Sequence, residues 1–296
     1  MTGSAHLVFL GGDRREAEAA RVLAGRGYAV AAHGCVLPAG TGLEPRDVAV
    51  ALAEADAVIC PALGTVGDGD ALFRPSPMPP LPIAASWLDL SHGVPWLIGR
   101  TSGPWLGRAA AASGVRLHPY GERDDYALLN AVPTAEGAVA EACRMAGRTV
   151  WGQRALVTGC GRCAQVLLVR LLAWGAEVVC AARRPGARAL AQALGARPIE
   201  MEAIPAEARR CQFLFNTVPA PVVGRAALAA LAPGAVVADI ASVPGGTDFR
   251  AAEELGVQAR LLPGIPGRLF PVTAGRILAD VVVAVLTEAA AGGAFG

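Results

Sequence analysis

The chain contains no lysine, because all 26 of its basic residues are arginine. A protein without lysine cannot form a Schiff base, cannot bind nucleotide phosphates through a P-loop lysine, and cannot use lysine as a general base. Histidine is also scarce, and none of the four histidines follows His118. A 2-hydroxyacid dehydrogenase needs a His–carboxylate pair after its cofactor domain, so the sequence argues against this class.

Strong net charge and long apolar runs are lacking too. The net charge is +1 and no basic stripe is present, which argues against nucleic acid or an anionic membrane as a partner. Apolar runs such as Ile277–Leu286 are too short to span a bilayer, and this one carries Asp280. The first residues do not show the basic and long apolar segments of a signal peptide. We therefore expect a soluble, cytoplasmic protein.

The seven cysteines show no pattern of a disulfide framework or a zinc site. Their number is odd, and several lie inside apolar runs, where a free thiol behaves as a small buried hydrophobe. The sequence therefore predicts a reducing compartment. Cys160 and Cys163 form a single C-x-x-C pair without a second pair or a nearby histidine, so zinc is not expected and no metal ligands are predicted. A redox-active pair is the alternative.

What the chain does contain is a repeated α/β pattern. With 296 residues, 53% of them apolar and 17% charged, it is long enough for two globular domains. Short apolar runs alternate with segments of helical spacing, which predicts parallel sheets covered on both faces. The predicted fold class is α/β with two Rossmann-like parallel-sheet domains, the second binding a dinucleotide, and a C-terminal helix that returns to the first.

The predicted first domain comprises residues 1–133. An apolar strand, His6–Leu10, stops at a Gly-Gly-Asp turn and is followed by a helix over Arg14–Arg26. Later short strands are predicted at Tyr28–Ala32, Ala57–Cys60 and Trp96–Ile98. The glycine- and proline-rich stretch Gly64–Pro82 is predicted as a surface loop, in which Thr65 is a candidate for substrate contact.

A linking helix is predicted within residues 134–152. Thr134 is a candidate N-cap for a helical run from about Ala138 to Met145. The predicted second domain follows at 153–272. The last helix, about Ala274–Ala290, lies in a segment 273–296 that we expect to pack back on the first domain.

The strongest chemical signal is a glycine loop between a strand and a helix. The strand Ala155–Thr158 is followed by Gly159-Cys160-Gly161-Arg162-Cys163-Ala164 and a helix that runs to Trp174. This G-x-G-x-x-A pattern allows a tight turn, close approach of pyrophosphate to the backbone, and close packing of the helix on the strand. The next strand, Glu177–Ala181, follows at the expected distance. Gly159, Gly161, Arg162, Cys163 and Ala164 are therefore predicted to bind the cofactor.

The end of the next strand favours NADP over NAD. Sites that prefer NAD usually carry an acidic residue there for the ribose hydroxyls, but this chain has Arg183, Arg184 and, one turn later, Arg188. Guanidinium groups suit a 2′-phosphate. A solvated basic turn is the alternative interpretation, and NAD is the alternative cofactor.

Further cofactor contacts are expected where later strands end, because ligands of open parallel sheets lie beyond the carboxyl ends of the strands. The strand from Phe213 leads into Asn216, Thr217, Val218 and Pro219, and the strand Ala235–Ile240 leads into Ala241 and Ser242. A third segment, Leu262–Gly267, contributes Gly264.

Several motifs together carry a resemblance to a known family. They are Gly11-Gly12-Asp13-Arg14, Glu122-Arg123-Asp124-Asp125, Asn130-x-x-Pro133-Thr134-x-Glu136-Gly137, the Gly159 loop, Asn216-Thr217-x-Pro219, the string Asp239–Phe249, and Pro263-Gly264-x-Pro266-Gly267. From about residue 5 to 288 the chain resembles the A subunit of bacterial dipicolinate synthase. The chain departs from that family at two places. Ala164 stands where the family tends to have a third glycine, and the proline-rich stretch Pro75–Pro82 is more elaborate than in the family.

The resemblance implies a function, a partner and a location. It implies the cytoplasm of the mother cell in a spore-forming bacterium, where the partner is a flavoprotein-like B subunit; a homodimer of the chain is a second assembly to test. The implied reaction makes pyridine-2,6-dicarboxylate from a hydroxytetrahydro- or dihydro-dipicolinate of the lysine pathway. The alternative is a scaffold that binds cofactor and substrate but requires the B subunit. The lack of lysine separates the chain from relatives similar to shikimate and alanine dehydrogenases.

A cyclic dicarboxylate would need guanidinium groups or helix N-termini. The substrate-binding candidates are Arg14, Thr65, Arg123, Thr134 with the amides that follow it, and Ser242. Each arginine has a surface location as its alternative. Glu136 and Asp125 are the candidate proton acceptors, since partial burial would raise a carboxyl pKa toward neutral pH. For Glu136 the alternative is an acid that stabilises the first turn of a helix.

Overall fold

The structure is a computed structural model that describes residues 5–35, 47–99 and 103–291, so the end of the predicted segment 273–296 lies outside it. The strands are β1 His6–Leu10, β2 Ala29–His33, β3 Ala57–Ile59, β4 Thr65–Val66, β5 Ala71–Leu72, β6 Leu81–Pro82, β7 Pro95–Ile98, β8 Arg116–Pro119, β9 Arg154–Thr158, β10 Glu177–Ala181, β11 Arg197–Ile199, β12 Phe213–Asn216, β13 Val236–Asp239 and β14 Gln258–Leu261.

The helices are α1 Arg14–Gly25, α2 Val48–Ala53, α3 Ala85–Leu90, α4 Pro104–Ala112, α5 Asp124–Ala146, α6 Arg162–Ala173, α7 Pro185–Ala193, α8 Ile204–Ala208, α9 Arg225–Ala230, α10 Phe249–Glu254, α11 Ile265–Leu269 and α12 Pro271–Ala290. Two single 3₁₀ turns cover Tyr120–Glu122 and Met201–Ala203.

The chain forms two compact units. Unit 1 comprises residues 1–127 together with 266–296, and unit 2 comprises residues 128–265. The domain ends predicted from the sequence, residues 133 and 272, lie six and seven residues after the ends of the corresponding segments in the structure, residues 127 and 265.

Unit 1 is built on a parallel sheet with the strand order β2-β1-β3-β7-β8. Alternate β1 side chains enter different cores, because successive side chains of a strand point to opposite faces. Leu7 and Phe9 pack with α1 and α12, whereas Val8 and Leu10 pack with α2 and α3. The strand order reverses between β1 and β3, where an open α/β sheet commonly binds a ligand.

The prediction of a surface loop over Gly64–Pro82 is wrong, because this stretch contains β4, β5 and β6, which form a small antiparallel sheet. Its Leu72 and Leu81 are buried. The Gly12 amide donates to the Phe73 carbonyl at 2.8 Å, so the small sheet lies against the turn that follows β1. Proline and glycine correctly indicated turns, but the apolar residues between them had a surface on which to pack.

Unit 2 has a parallel sheet with the strand order β11-β10-β9-β12-β13-β14. Its central strands are buried on both faces, as their continuous apolar composition predicts. The order reverses between β9 and β12, whose ends are in register at Thr158 and Asn216. The predicted α/β fold with two Rossmann-like parallel sheets is confirmed.

The C-terminal helix packs on the first unit, as predicted. α12 lies along α1, and a Cβ on Gly275 would come within 2.6 Å of the Glu18 Cβ. Arg26 and Asp280 form an ion pair at 2.6 Å between the two helices. Close approach of the helices explains the small residue at this position of α12.

The prediction that Thr134 caps a helix is wrong. α5 begins at Asp124 and runs without interruption to Ala146, with Pro133 inside it. The Thr134 hydroxyl donates to the carbonyl of Asn130 at 2.8 Å, one turn earlier in the same helix. The amides that follow Thr134 therefore do not lie at a helix start, and the idea that they bind a substrate carboxylate loses its basis.

Within the described residues, no helix is long and apolar enough to cross a membrane. All seven cysteines are free thiols.

Candidate functional site

The turn after β9 requires glycine at its first position. Gly159 has φ +88°, a conformation that residues with a side chain rarely adopt. A Cβ at this position would lie 2.6 Å from the Thr217 Oγ1 and 2.9 Å from a methyl carbon of Val218. The turn after β9 therefore packs directly on the turn after β12, at the point where the strand order reverses.

Gly161 lies at the open side of the same turn. It is the N-cap of α6, has extended backbone angles (φ −81°, ψ −177°), and has no side chain with which to cap the first turn of the helix. A Cβ on Gly161 would have no atom within 4 Å. Ala164, by contrast, is fully buried, so the small side chain serves helix packing. The loop thus presents an uncapped helix start and the positive end of a helix dipole to open space, which suits a pyrophosphate.

The thiols around this loop are packing groups. Burial raises the pKa of Cys163 to about 12 and that of Cys180 to about 12, and it also raises the pKa of Cys160. The Cys180 thiol donates to the Gly159 carbonyl at 3.3 Å. A redox-active thiol needs a lowered pKa, so the geometry gives no support to a redox-active C-x-x-C pair.

The three arginines after β10 have different environments. Arg188 donates to the carbonyls of Ala182 and Arg183 at 3.1 and 2.8 Å and pairs with Glu200 at 3.2 Å, so it holds the turn itself. Arg183 and Arg184 are exposed and form no ion pair with any residue in the described ranges. Their two guanidinium groups remain available at the carboxyl end of β10.

The turn after β12 is held by the buried Asn216. Its Oδ1 accepts from the Thr158 hydroxyl at 2.5 Å and from the Val218 amide at 3.1 Å, and its Nδ2 donates to the Val218 carbonyl at 3.0 Å. The Thr217 hydroxyl donates to the Thr158 carbonyl at 2.7 Å. Asn216 therefore positions the turn and is fully shielded from solvent. Of the predicted residues in this turn, Pro219 is exposed, whereas Thr217 and Val218 are half-buried.

Asp239 holds the loop after β13, as Asn216 holds the turn after β12. Its buried carboxylate accepts from the amides of Ala241 and Gly246 at 3.0 and 2.8 Å and from the Thr247 hydroxyl at 2.8 Å. Of the predicted residues that follow, Ala241 is buried, whereas Ser242 and Gly264 are half-buried. Unit 2 therefore brings the ends of β9, β10, β12 and β13 together at one edge of its sheet.

Unit 1 contains a buried ionic cluster that the sequence did not predict. Arg14 is exposed, but its neighbour Arg15 is 2% exposed. The Arg15 guanidinium donates to the Asp13 carboxylate at 3.1 Å and to the Tyr126 hydroxyl at 3.4 Å. The Asp13-x-x-Glu16 spacing was the available signal, because it forms a capping box at the start of α1.

Glu16 completes this cluster. Its carboxylate accepts from the Asp13 amide at 2.7 Å and from the Ala62 amide at 2.8 Å. Burial, and then the Asp13 carboxylate, raise the pKa of Glu16 to about 7, although Arg15 and the two amides act in the opposite direction. Together with the small antiparallel sheet, the cluster closes the end of β1, where unit 2 leaves its corresponding position open.

The other residues predicted to contact substrate or protons in unit 1 are engaged within that unit. Arg123 pairs with Asp125 at 2.8 Å and with Glu288 of α12 at 2.7 Å. These bonds raise the Arg123 pKa further and lower the pKa of Asp125. The expectation that burial raises the Asp125 pKa toward neutral is therefore wrong. The Thr65 hydroxyl accepts from the Gly103 amide at 3.1 Å.

Glu136 lies in the interior of α5, so the interpretation as a first-turn acid is wrong. Its carboxylate pairs with Arg170 of α6 at 3.1 Å, and its side chain is 40% exposed. An exposed, paired carboxylate is a poor candidate for a general base. Among the described residues, no group of three or more His, Cys, Asp or Glu side chains is arranged to hold a metal ion.

The parallel sheets and the open glycine turn define a dehydrogenase-like α/β protein. A transhydrogenase from Sinorhizobium meliloti shares this fold at 19% identity, with a TM-score of 0.65 over 95% of this chain and 93% of that one. Residues 6–120 match the family model of the N-terminal domain of the dipicolinate synthase A subunit.

The chain is 31% identical to the A subunit of dipicolinate synthase from Bacillus subtilis over 235 residues, which are 79% of this chain and 78% of that protein. A crystal structure of the same subunit from Bacillus halodurans superimposes with a TM-score of 0.82 at 30% identity, over 97% of this chain and 99% of that one. The chain therefore belongs to the family of dipicolinate synthase A subunits, which confirms the resemblance.

Proposed function

We propose that unit 2 binds NADP(H) and that the chain is the oxidoreductase subunit of a dipicolinate synthase. The observation that carries the proposal is the turn at Gly161, where an uncapped helix start faces open space and the exposed Arg183 and Arg184 follow the neighbouring strand. Gly161 and the amides of Arg162, Cys163 and Ala164 would hold the pyrophosphate. Arg183 and Arg184 would hold the 2′-phosphate, with Arg188 supporting their turn.

The proposed reaction is the oxidation of a hydroxytetrahydro- or dihydro-dipicolinate to pyridine-2,6-dicarboxylate. NADP⁺, when bound, accepts the hydride that leaves the ring as it becomes aromatic. Arg14 is the exposed member of the predicted substrate contacts; Thr65, Thr134 and Ser242 are half-buried, and Arg123 is held by two carboxylates. By analogy with the family, the reaction would serve spore formation in the mother-cell cytoplasm and draw on the lysine pathway.

Replacement of Gly161 by alanine tests the cofactor site. The backbone angles of Gly161 suit alanine and its Cβ would meet no protein atom, so we expect a loss of at most about 1 kcal/mol from the poorer N-cap. The methyl group would, however, occupy the surface offered to pyrophosphate. We expect NADPH binding, measured by calorimetry, to fall at least tenfold at a nearly unchanged melting temperature. Gly161→Ala protein that binds NADPH like the wild type would contradict the proposal.

The matched control is Gly159→Ala, in which φ +88° and the contact with Thr217 predict a clear loss of stability. This variant separates damage to the turn from occupation of the binding surface.

The preference for NADP has its own test. Replacing both Arg183 and Arg184 by alanine should weaken the binding of NADPH far more than that of NADH, because only NADPH carries the 2′-phosphate. Arg197→Ala, a basic residue on edge strand β11 that pairs with Glu207, is the control and should leave both affinities unchanged. Equal losses for both cofactors would show that the two arginines do not bind the 2′-phosphate.

A scaffold role is the second candidate function. It is favoured by the positions of Asp125 and Glu136, which are both engaged in ion pairs and leave no clear proton acceptor among the predicted residues. In this case a flavoprotein-like B subunit completes the site. Assays of the purified chain with and without the B subunit, which follow NADPH absorbance and the pyridine product, separate the two functions. Turnover by the chain alone would eliminate the scaffold, and sedimentation of both samples would show whether a homodimer or a heteromer forms.

A further inference from the structure

We infer that Val243 is an apolar contact for the nicotinamide ring of the bound dinucleotide, and that Asp239 is the positioning residue that holds it there. The inference rests on the proposed cofactor site and assigns its ring end. Val243 is 71% exposed, more than any other valine, leucine or isoleucine in the described ranges. A single exposed valine is ordinary in itself, so its significance depends on the rigidity and place of its loop.

The loop that carries Val243 is held from both sides. Asp239 receives three hydrogen bonds from the loop and is completely buried. Gly245 has φ +88°, and a Cβ there would lie 2.9 Å from the Asp239 carboxylate. The carbonyl of Gly246 accepts from the amides of Val222 and Val223 at 3.0 and 2.9 Å. A loop fixed in this way holds an apolar side chain in water at a defined place.

The loop is also joined to the turn after β12. A Cβ on Gly246 would overlap the carbonyls of Val218 and Ala220 and would lie 2.8 Å from the Asn216 amide nitrogen. The turn after β12 in turn packs on Gly159. The loops after β9, β12 and β13 therefore form one continuous block, which is fixed by two buried polar side chains, Asn216 and Asp239.

The strand order gives the direction in which a dinucleotide would lie on this block. Its pyrophosphate would be held at the end of β9, and the arginines for the 2′-phosphate follow β10, on one side of β9. The opposite half of the molecule must then extend over β12 toward β13. Two strand spacings amount to about 10 Å, which a ribose and an attached ring can span. Val243 lies at that end, where a flat, weakly polar ring gains from an apolar contact.

The experiment compares ligands with and without the nicotinamide. NADPH contains the ring, whereas 2′,5′-ADP presents only the phosphorylated adenosine; NADH and ADP form a second pair. In the Val243→Asn variant we expect NADPH to bind at least fivefold more weakly and its bound fluorescence to fall, whereas 2′,5′-ADP should bind within twofold of the wild type. Val50→Asn, an equally simple change at an exposed valine of unit 1, should alter neither affinity.

The positioning role of Asp239 is tested through Thr247, whose hydroxyl bonds to the carboxylate. Thr247→Val removes this bond and should weaken NADPH selectively, while Thr247→Ser should restore wild-type binding. A purely structural role for the bond would lower the melting temperature without separating NADPH from 2′,5′-ADP.

The possible outcomes divide clearly. Equal losses for both ligands, or none, in Val243→Asn would overturn the inference and leave the proposed cofactor site intact. Wild-type protein that binds neither ligand pair would refute the proposed function, and the inference would fall with it.

Discussion

Neutralising Glu16 should remove a pH dependence from the stability of unit 1. The Glu16 carboxyl group is 1% exposed, and its two oxygens accept hydrogen bonds from the amides of Asp13 and Ala62. Burial and the neighbouring Asp13 raise its pKa to about 7 from an ordinary value of 4.5. The folded protein therefore keeps a proton here at pH values where the unfolded chain has already released it.

The sign and size of the effect follow from proton linkage. Between pH 4.5 and 7 the folded state binds more protons at Glu16 than the unfolded state, so the free energy of unfolding falls as the pH rises. The stabilisation is complete below the unfolded pKa and is lost as the pH passes the folded pKa. A shift of this size corresponds to about 3 kcal/mol, since each pKa unit is worth about 1.4 kcal/mol.

The assay is urea denaturation of the wild type and of Glu16→Gln at a series of pH values from 5 to 8, followed by tryptophan fluorescence, to which the buried Trp96 of unit 1 contributes. Glutamine does not titrate, and it has only one carbonyl oxygen to accept from the amides of Asp13 and Ala62. One of the two hydrogen bonds is therefore lost, and the variant is less stable than the wild type at pH 5. Between pH 5 and pH 8 the difference between the two proteins should then shift by about 2.5 kcal/mol in favour of the variant, because a small part of the effect is already lost at pH 5. A difference that stays constant across this range would refute the reasoning, because all other titrating groups are shared.

Two further predictions concern contacts within unit 1. Arg123→Ala breaks the ion pairs with Asp125 and Glu288, whose side chains are about half exposed, so thermal denaturation should show a loss of about 1 kcal/mol that shrinks at high salt; a loss that salt does not change would contradict this. Gly267→Ala would place a methyl group on the Asp13 carboxylate and should cost more than about 2 kcal/mol. The control Gly224→Ala, at an open helix start, should cost about 1 kcal/mol or less; equal losses would contradict the assigned contact.

The adjacent residues Arg14 and Arg15 show that local sequence does not determine which side chain of a helix is buried. The sequence indicated that a helix starts after the Gly-Gly-Asp turn, but the choice of Arg14 as the functional residue led to the exposed side chain. Which of two neighbours faces inward depends on the rotation of α1 relative to the sheet and to Tyr126, a residue distant in the sequence. Local spacing contains no such information.

Pro133 and Thr134 show that local sequence also does not determine where a helix begins. Threonine is a favoured N-cap and proline is rare inside a helix, yet here both lie within α5, whose residues Ala135, Ala138 and Ala142 pack in the core of unit 2. Tertiary burial of this apolar face outweighed the local preference. The small sheet within Gly64–Pro82 was missed for the same reason, since its two-residue strands form only where Leu72 and Leu81 find a surface.

The sequence by itself determined the alternation of strands and helices, the glycine turn after β9 and the family. These features depend on residues close together in the chain: a periodic apolar pattern, or a glycine whose backbone angles few other residues tolerate. Only the tertiary structure decided that unit 1 closes the end of its first strand with a buried ionic cluster while unit 2 leaves that position open. The charged groups of this cluster, Asp13, Arg15 and Glu16, are close together in the sequence. Their burial depends on the Ala62 amide and the Tyr126 hydroxyl, which are distant in the sequence and reach the cluster only when the chain has folded.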